Sequence, residues 1–187
     1  MKDTLVIDIE TQNFFSSPDR NDFENIKISV IGLYSYLRDQ FLAFDETEIE
    51  KALEIFKESE LIVGFAINRY DIPVLDYHFK KIAPNFDLWS FKRLDILDEI
   101  ELALNRRVKL NSLALTNLQI GKNGSGEEAI ELYKNKEIAK LKEYCLNDVL
   151  ITRDIYNLGK KQNYILVPRR KNENPVKLLV NWQAKLF

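Results

Sequence analysis

Apolar positions fall in short runs over the first third of the chain and at helical spacing after it. Leu5, Val6 and Ile7 lead into Asp8-Ile9-Glu10, which reads as a central strand. Side chains alternate across a strand, so Asp8 and Glu10 share one face and Ile9 points to the opposite, buried one. Residues 13–25 are polar and contain Ser16-Ser17-Pro18, a loop signal. Residues 28–36, rich in β-branched and aromatic side chains, and residues 40–44 complete an antiparallel meander with the first strand. Residues 46–57 carry Ile49, Ala52, Leu53 and Phe56 at helical spacing, with Thr47 a candidate cap. Residues 61–65 predict a strand parallel to the first, reached through that helix.

Pro73 opens a helix that continues through Val74, Leu75, Tyr77, His78 and Ile82. A strand at 93–97 and a helix at 98–104 follow. Residues 110–119 form an apolar helix and 120–126 a glycine-rich loop. Residues 127–133 predict a short helix and 136–161 a long one. Residues 176–182 are apolar enough for a final strand or a docked tail. The order, three strands, then helix, strand, helix and further helices, predicts an α/β protein with a mixed central β-sheet flanked by α-helices. No repeat, low-complexity segment or domain boundary is evident, so residues 1–187 are expected to form one domain.

Composition adds limits. Hydrophobic residues make up 45% and charged residues 30% of 187, the balance of a soluble globular protein. The single cysteine, Cys145, excludes an intrachain disulfide and a cysteine-based zinc site. No apolar run approaches membrane-spanning length. The Met-Lys-Asp-Thr start lacks a signal peptide, and a cytoplasmic location is expected. The net charge of −2 is uneven. Residues 160–187 hold seven bases and one acid, +6, which leaves −8 on residues 1–159. An acidic body with a basic end suits a metal-using nuclease, in which acids hold ions and bases hold phosphates. A solvated basic tail accounts for the same residues equally well.

The chemistry gathers at acidic positions. Asp8 and Glu10 side by side repel each other, and a divalent cation with oxygen ligands removes the cost of burying them. Asp71, between a predicted strand and Pro73, reads first as a helix N-cap, a role that leaves room for a carboxylate oxygen to face an ion as well. In the long helix Tyr144 and Asp148 stand four residues apart, hence on one face. They read either as a surface or core pair, or as a phenol beside a water whose ion Asp148 helps to hold.

These three segments, in this order, resemble the three motifs of the DEDD superfamily of 3'-5' exonucleases, on a ribonuclease-H-like fold. Asp8-x-Glu10 is similar to the first motif, and Gly64-Phe65 through Tyr70-Asp71-x-Pro73-x-Leu75 to the second. Tyr144-x-x-x-Asp148 is similar to the third, in the tyrosine (DEDDy) subclass. Within the superfamily the chain resembles most the proofreading domains of family B DNA polymerases and stand-alone predicted exonucleases. Lys109-Leu110-Asn111-Ser112-Leu113 fits the same group. The resemblance spans roughly residues 4 to 158. It implies that Asp8, Glu10, Asp71 and Asp148 hold two Mg²⁺ or Mn²⁺ ions about 4 Å apart, which ready a water and stabilise the leaving 3'-oxygen. It implies that Tyr144 aligns the attacking water, since a phenol of pKa about 10 is a poor base at pH 7. The substrate implied is single-stranded DNA or RNA, the product nucleoside 5'-monophosphates, and a helicase or polymerase a conceivable partner. One departure stands out: relatives usually carry Asn where this chain has Ala66, with Asn68 a candidate substitute.

Thr11 is a further candidate contact to the terminal nucleotide. Phe14 and Phe15 read as buried aromatics or as base-stacking platforms. His78 and Cys145 are read as structural, and Asp87, Asp95, Asp98 and Asp154 as caps and surface. The glycine-rich loop lacks phosphate-loop spacing and reads as a linker or a substrate-side loop. Two other functions compete: a structure-selective or RNA–DNA hybrid nuclease, and a catalytically idle nucleic-acid-binding or scaffolding module.

Overall fold

The structure, a computed structural model, describes residues 2–15, 22–120, 126–169 and 173–183. Strand β1 (Asp3–Thr11) is followed by β2 (Ile28–Ser35) and β3 (Gln40–Asp45), then helix α1 (Ile49–Lys57) and β4 (Ser59–Gly64). Helix α2 (Asp71–Ile82), β5 (Lys92–Asp95), α3 (Ile96–Leu104), α4 (Leu110–Leu118), α5 (Gly126–Lys134) and α6 (Ile138–Gln162) come next. Strands β6 (Tyr164–Val167) and β7 (Val176–Leu179) close the chain.

Five strands form one sheet in the order β3-β2-β1-β4-β5. β1 runs antiparallel to β2 and parallel to β4, and β5 is parallel to β4. The expected meander and the expected parallel strand are therefore both present, in a mixed sheet flanked by helices. Central placement explains the composition of the strands. β2 is buried along its whole length, which requires apolar or small residues on both faces.

Two cores lie on opposite faces of β1. Leu5, Ile7 and Ile9 join Leu53 and Phe56 of α1 and Val74, Leu75 and Phe79 of α2. Val6, on the other face, joins Val149, Ile151 and Ile155 of α6. Asp8 and Glu10 continue the Val6 face, so the strand alternation that buries Val6 against α6 also aims both acids at that helix.

The elements differ from the sequence reading at several ends. Thr47 does not cap α1. Glu48 holds the cap position without a side-chain bond to the helix amides, and Thr47 instead donates from Oγ1 and N to Asp45 Oδ1 at 2.6 and 3.1 Å. The short strand β6 is not visible in the periodicity, because the helical pattern of α6 runs straight into it. It pairs antiparallel with β7, so the terminal apolar segment is a strand. The tail docks as well: Trp182 is buried and stacks on Tyr156 of α6 at 5.7 Å between ring centroids. Gly159 makes that possible, since a Cβ there would lie 2.2 Å from the Trp182 ring. The glycine-rich loop falls at residues 121–125, outside the described residues. Among the described residues no helix is long and apolar enough to cross a membrane.

After β4 the chain makes a tight turn in which Ala66 has φ 64°, in the left-handed region. A side chain with a Cβ is strained there, by about 1–2 kcal/mol. Ala66→Gly is expected to raise stability by about 0.5–1 kcal/mol, part of the relief being offset by the greater freedom of glycine in the unfolded chain. Urea unfolding of the two proteins measures it; an unchanged or lower midpoint shows that the turn is not strained.

Candidate metal centre

β1 and α6 bring three acids together. Carboxylate oxygens of Asp8, Glu10 and Asp148 lie within 4.8 Å of one another. Asp148 is buried, Asp8 and Glu10 half-buried. The contrast with Asp3, on the same strand, is informative. Asp3 is buried too, but it accepts hydrogen bonds from Ser35 Oγ and the Leu37 amide and pairs with Arg38 at 3.4 Å. Its charge is balanced by protein. At the other end of β1 two acids converge on a third.

Close approach of α6 is set by a missing side chain. Asp8 pairs across the ladder with Gly32 of β2. A Cβ on Gly32 would stand 2.6 Å from Cys145 Sγ and 3.2 Å from Val149. With hydrogen there, Cys145 sits flat on the strands, its thiol 3.4 Å from the Asp8 carbonyl oxygen and 3.6 Å from Asp8 Oδ2. Desolvation pushes the thiol well above its ordinary pKa, and the charges of Asp8, Glu10 and Asp148 push it further. Cys145 is thus a neutral packing residue that sets the height of α6.

Asp71 lies outside the group of three, yet close to it. It is the first residue of α2, but its side chain is not that helix's cap; Tyr70 holds the cap position, without a side-chain bond to the helix amides. Asp71 Oδ1 instead accepts the amide of Ile9 at 3.1 Å, between the two strand acids. The expected N-cap role is corrected accordingly. Desolvation raises the Asp71 carboxyl to about 8, against the pull of the Ile9 amide and its own, with the charges of Asp95 and Asp148 adding to the rise.

Tyr144 lies one turn before Asp148 on α6, and its hydroxyl is shielded from solvent. A hollow of about 400 Å³ is lined by Glu128 and Leu132 of α5 and by Lys140, Glu143, Tyr144 and Asn147 of α6. Thr11 is buried; its hydroxyl meets the Tyr70 hydroxyl at 2.8 Å and donates to the Asn13 carbonyl at 3.0 Å. Phe15 packs edge-on against Tyr70 and Phe23, whereas Phe14 is 55% exposed. His78 bonds the Ile26 carbonyl oxygen through Nε2 at 2.8 Å and stays away from the acids.

Asn68 is committed elsewhere. Its Nδ2 donates to Asp98 at 2.8 Å and its Oδ1 accepts from Arg93 Nε at 3.0 Å. The organiser of that loop is Asp95, which sequence reading placed among caps and surface. Asp95 does cap α3, accepting from the Leu97 and Asp98 amides, but it is buried. It also accepts the amides of Ala66 at 2.8 Å and Asn68 at 3.0 Å. One carboxylate thereby holds the segment that delivers Asp71. The cap signal was readable; the long-range half of its role was not.

The donor set is all carboxylate oxygen, which suits a hard divalent ion such as Mg²⁺ or Mn²⁺. Asp71 supplies a test. Its carboxyl is raised in the folded chain to about 8 from an unfolded value near 4, so ionising it disfavours folding. That penalty is absent below pH 4, grows between 4 and 8, and is complete above 8. Without metal, Asp71→Asn is therefore expected to melt higher than wild type at pH 8 and at a similar temperature near pH 4. Mn²⁺ at pH 8 should raise the wild-type melting temperature more than that of Asp71→Asn. Equal pH profiles of the two proteins in EDTA show that Asp71 ionises freely.

The fold has counterparts among known proteins. A family model for the RNase_H superfamily, RNase_H_2, matches residues 5–159. Among solved structures, the chain is similar to the family B DNA polymerase of the hyperthermophilic archaeon Pyrobaculum calidifontis, with a TM-score of 0.63 and 18% identity. The match covers 86% of this chain and 24% of the polymerase, so the chain spans about a quarter of that protein. No curated protein sequence matches. The five-stranded mixed sheet and the family match over most of its length place this chain in the RNase_H superfamily.

Proposed function

We propose that this protein is a metal-dependent 3'-5' exonuclease of the DEDDy type, acting on single-stranded nucleic acid. The observation that carries the reading is the meeting of Asp8, Glu10 and Asp148 oxygens within 4.8 Å. Three acids gathered by a central strand and a crossing helix form the oxygen donor set that a hard divalent cation takes. Asp8, Glu10, Asp71 and Asp148 would hold two Mg²⁺ or Mn²⁺ ions. When bound, such ions supply Lewis-acid activation of the phosphodiester and lower the pKa of water.

The chain's own groups do the remainder. Tyr144 holds the attacking water by a hydrogen bond from its solvent-shielded position one turn from Asp148. It orients rather than deprotonates, because a phenol is too weak a base near pH 7. Attack on the last phosphodiester releases a nucleoside 5'-monophosphate, and the leaving 3'-oxygen becomes the new strand end. Thr11, tied to Tyr70, shapes the wall of the terminal-nucleotide site. Asn68 is given a loop-holding role in place of a substrate contact. DNA is favoured as substrate, and a polymerase or helicase as partner, by the likeness to a DNA polymerase.

A 5'-labelled single strand incubated with Mn²⁺ tests the proposal. A ladder that shortens from the 3' end is expected. Asp8→Ala should lose about 10³-fold or more in rate while melting normally, and Tyr144→Phe about 10- to 100-fold. Internal cuts indicate the hybrid or structure-selective nuclease. Binding without cleavage indicates the idle module, and a Tyr144→Phe rate equal to wild type removes Tyr144 from the mechanism.

A further inference from the structure

A second feature stands away from the acids. The loop between α3 and α4 and the end of β6 enclose a groove of about 500 Å³, lined by Arg106, Arg107, Val108, Lys109, Ser112, Pro168 and Arg169. Four of these carry positive charge and none is acidic, in a chain whose first 159 residues hold a net −8. Arg106 donates to the Pro168 carbonyl, which locks the loop to the β6 end and fixes the two walls. An adjoining hollow of about 330 Å³ shares Arg106 and Arg169 and is closed by Leu104, Glu173 and Val176.

The cations are not all spent internally. Arg107 pairs with Glu101 at 2.9 Å, and Glu101 is also held by Arg69. Arg169 is only 3.9 Å from Glu173, and Lys109, at the start of α4, is exposed. Arginine forks and a lysine on one floor suit successive phosphates of a backbone. Helix α3 leads from Asp95, the clamp beside the acid centre, to this groove, a run of about 14 Å by helical rise.

We propose that this groove binds the phosphate backbone of the single strand upstream of the end being processed. The ligand class rests on the nuclease reading; the groove itself does not. Electrostatic contacts of this kind release counterions, so affinity falls with salt in proportion to the phosphates neutralised. The test is fluorescence anisotropy of the full chain with a labelled oligothymidylate of about 20 nucleotides, in EDTA, across a salt series. Lys109→Glu combined with Arg169→Glu should weaken binding about tenfold or more at low salt and flatten the salt slope by about 1.4. Lys109→Arg with Arg169→Lys should keep both affinity and slope. Unchanged affinity and slope in the charge-reversed protein overturn the proposal. So does groove-dependent capture of polyglutamate together with no binding of oligothymidylate, which would identify an acidic protein partner. Because EDTA removes cleavage from the measurement, groove-dependent binding by a chain that never cuts DNA would support the groove and sink the exonuclease reading alone.

Discussion

Mutual repulsion among carboxylates is the constraint around which this fold is arranged. Asp8, Glu10 and Asp148 bring carboxylate oxygens within 4.8 Å of one another at the far end of the strand from Asp3. Holding them together costs free energy, and the surrounding packing must supply it. β1 does so from the centre of the sheet, with strands hydrogen-bonded on both sides and an apolar core on each face. A strand so placed cannot twist its acids apart without opening both cores.

The second layer of support is polar and runs along the switch from β4 to α2. Asp95 binds two amides of the turn and caps α3, while Asp71 takes the Ile9 amide. Asp95 and Asp71 are thus both matched to backbone donors, the usual condition for burying a carboxyl group. The turn contains Ala66 at positive φ, a conformation that Asn tolerates better.

Much of this was legible in the sequence because it follows local rules. The period-2 alternation of Val6, Asp8 and Glu10 shows the face on which the acids lie, and the four-residue step from Tyr144 to Asp148 shows their shared turn. What escaped depends on contacts between distant segments. Nothing near Gly32 signals that Cys145 will need its space, and nothing near Asp95 signals the Ala66 amide. Asp71 looked like a cap because Asp before Pro is a local pattern, whereas Ile9, its true partner, lies 62 residues away. Strand β6 was hidden for the converse reason: four residues joined directly to a 25-residue helix give too short a pattern to separate.

The hydrogen atom at Gly32 has a wider consequence. It fixes how low α6 rides on the sheet, and hence the gap between the strand's acids and the helix's acid. An ion held there, as proposed, would meet that clearance as well as the donor atoms, which would accept several metals alike. The fit of such an ion would be set in the sheet, one layer beneath the carboxylates that would touch it.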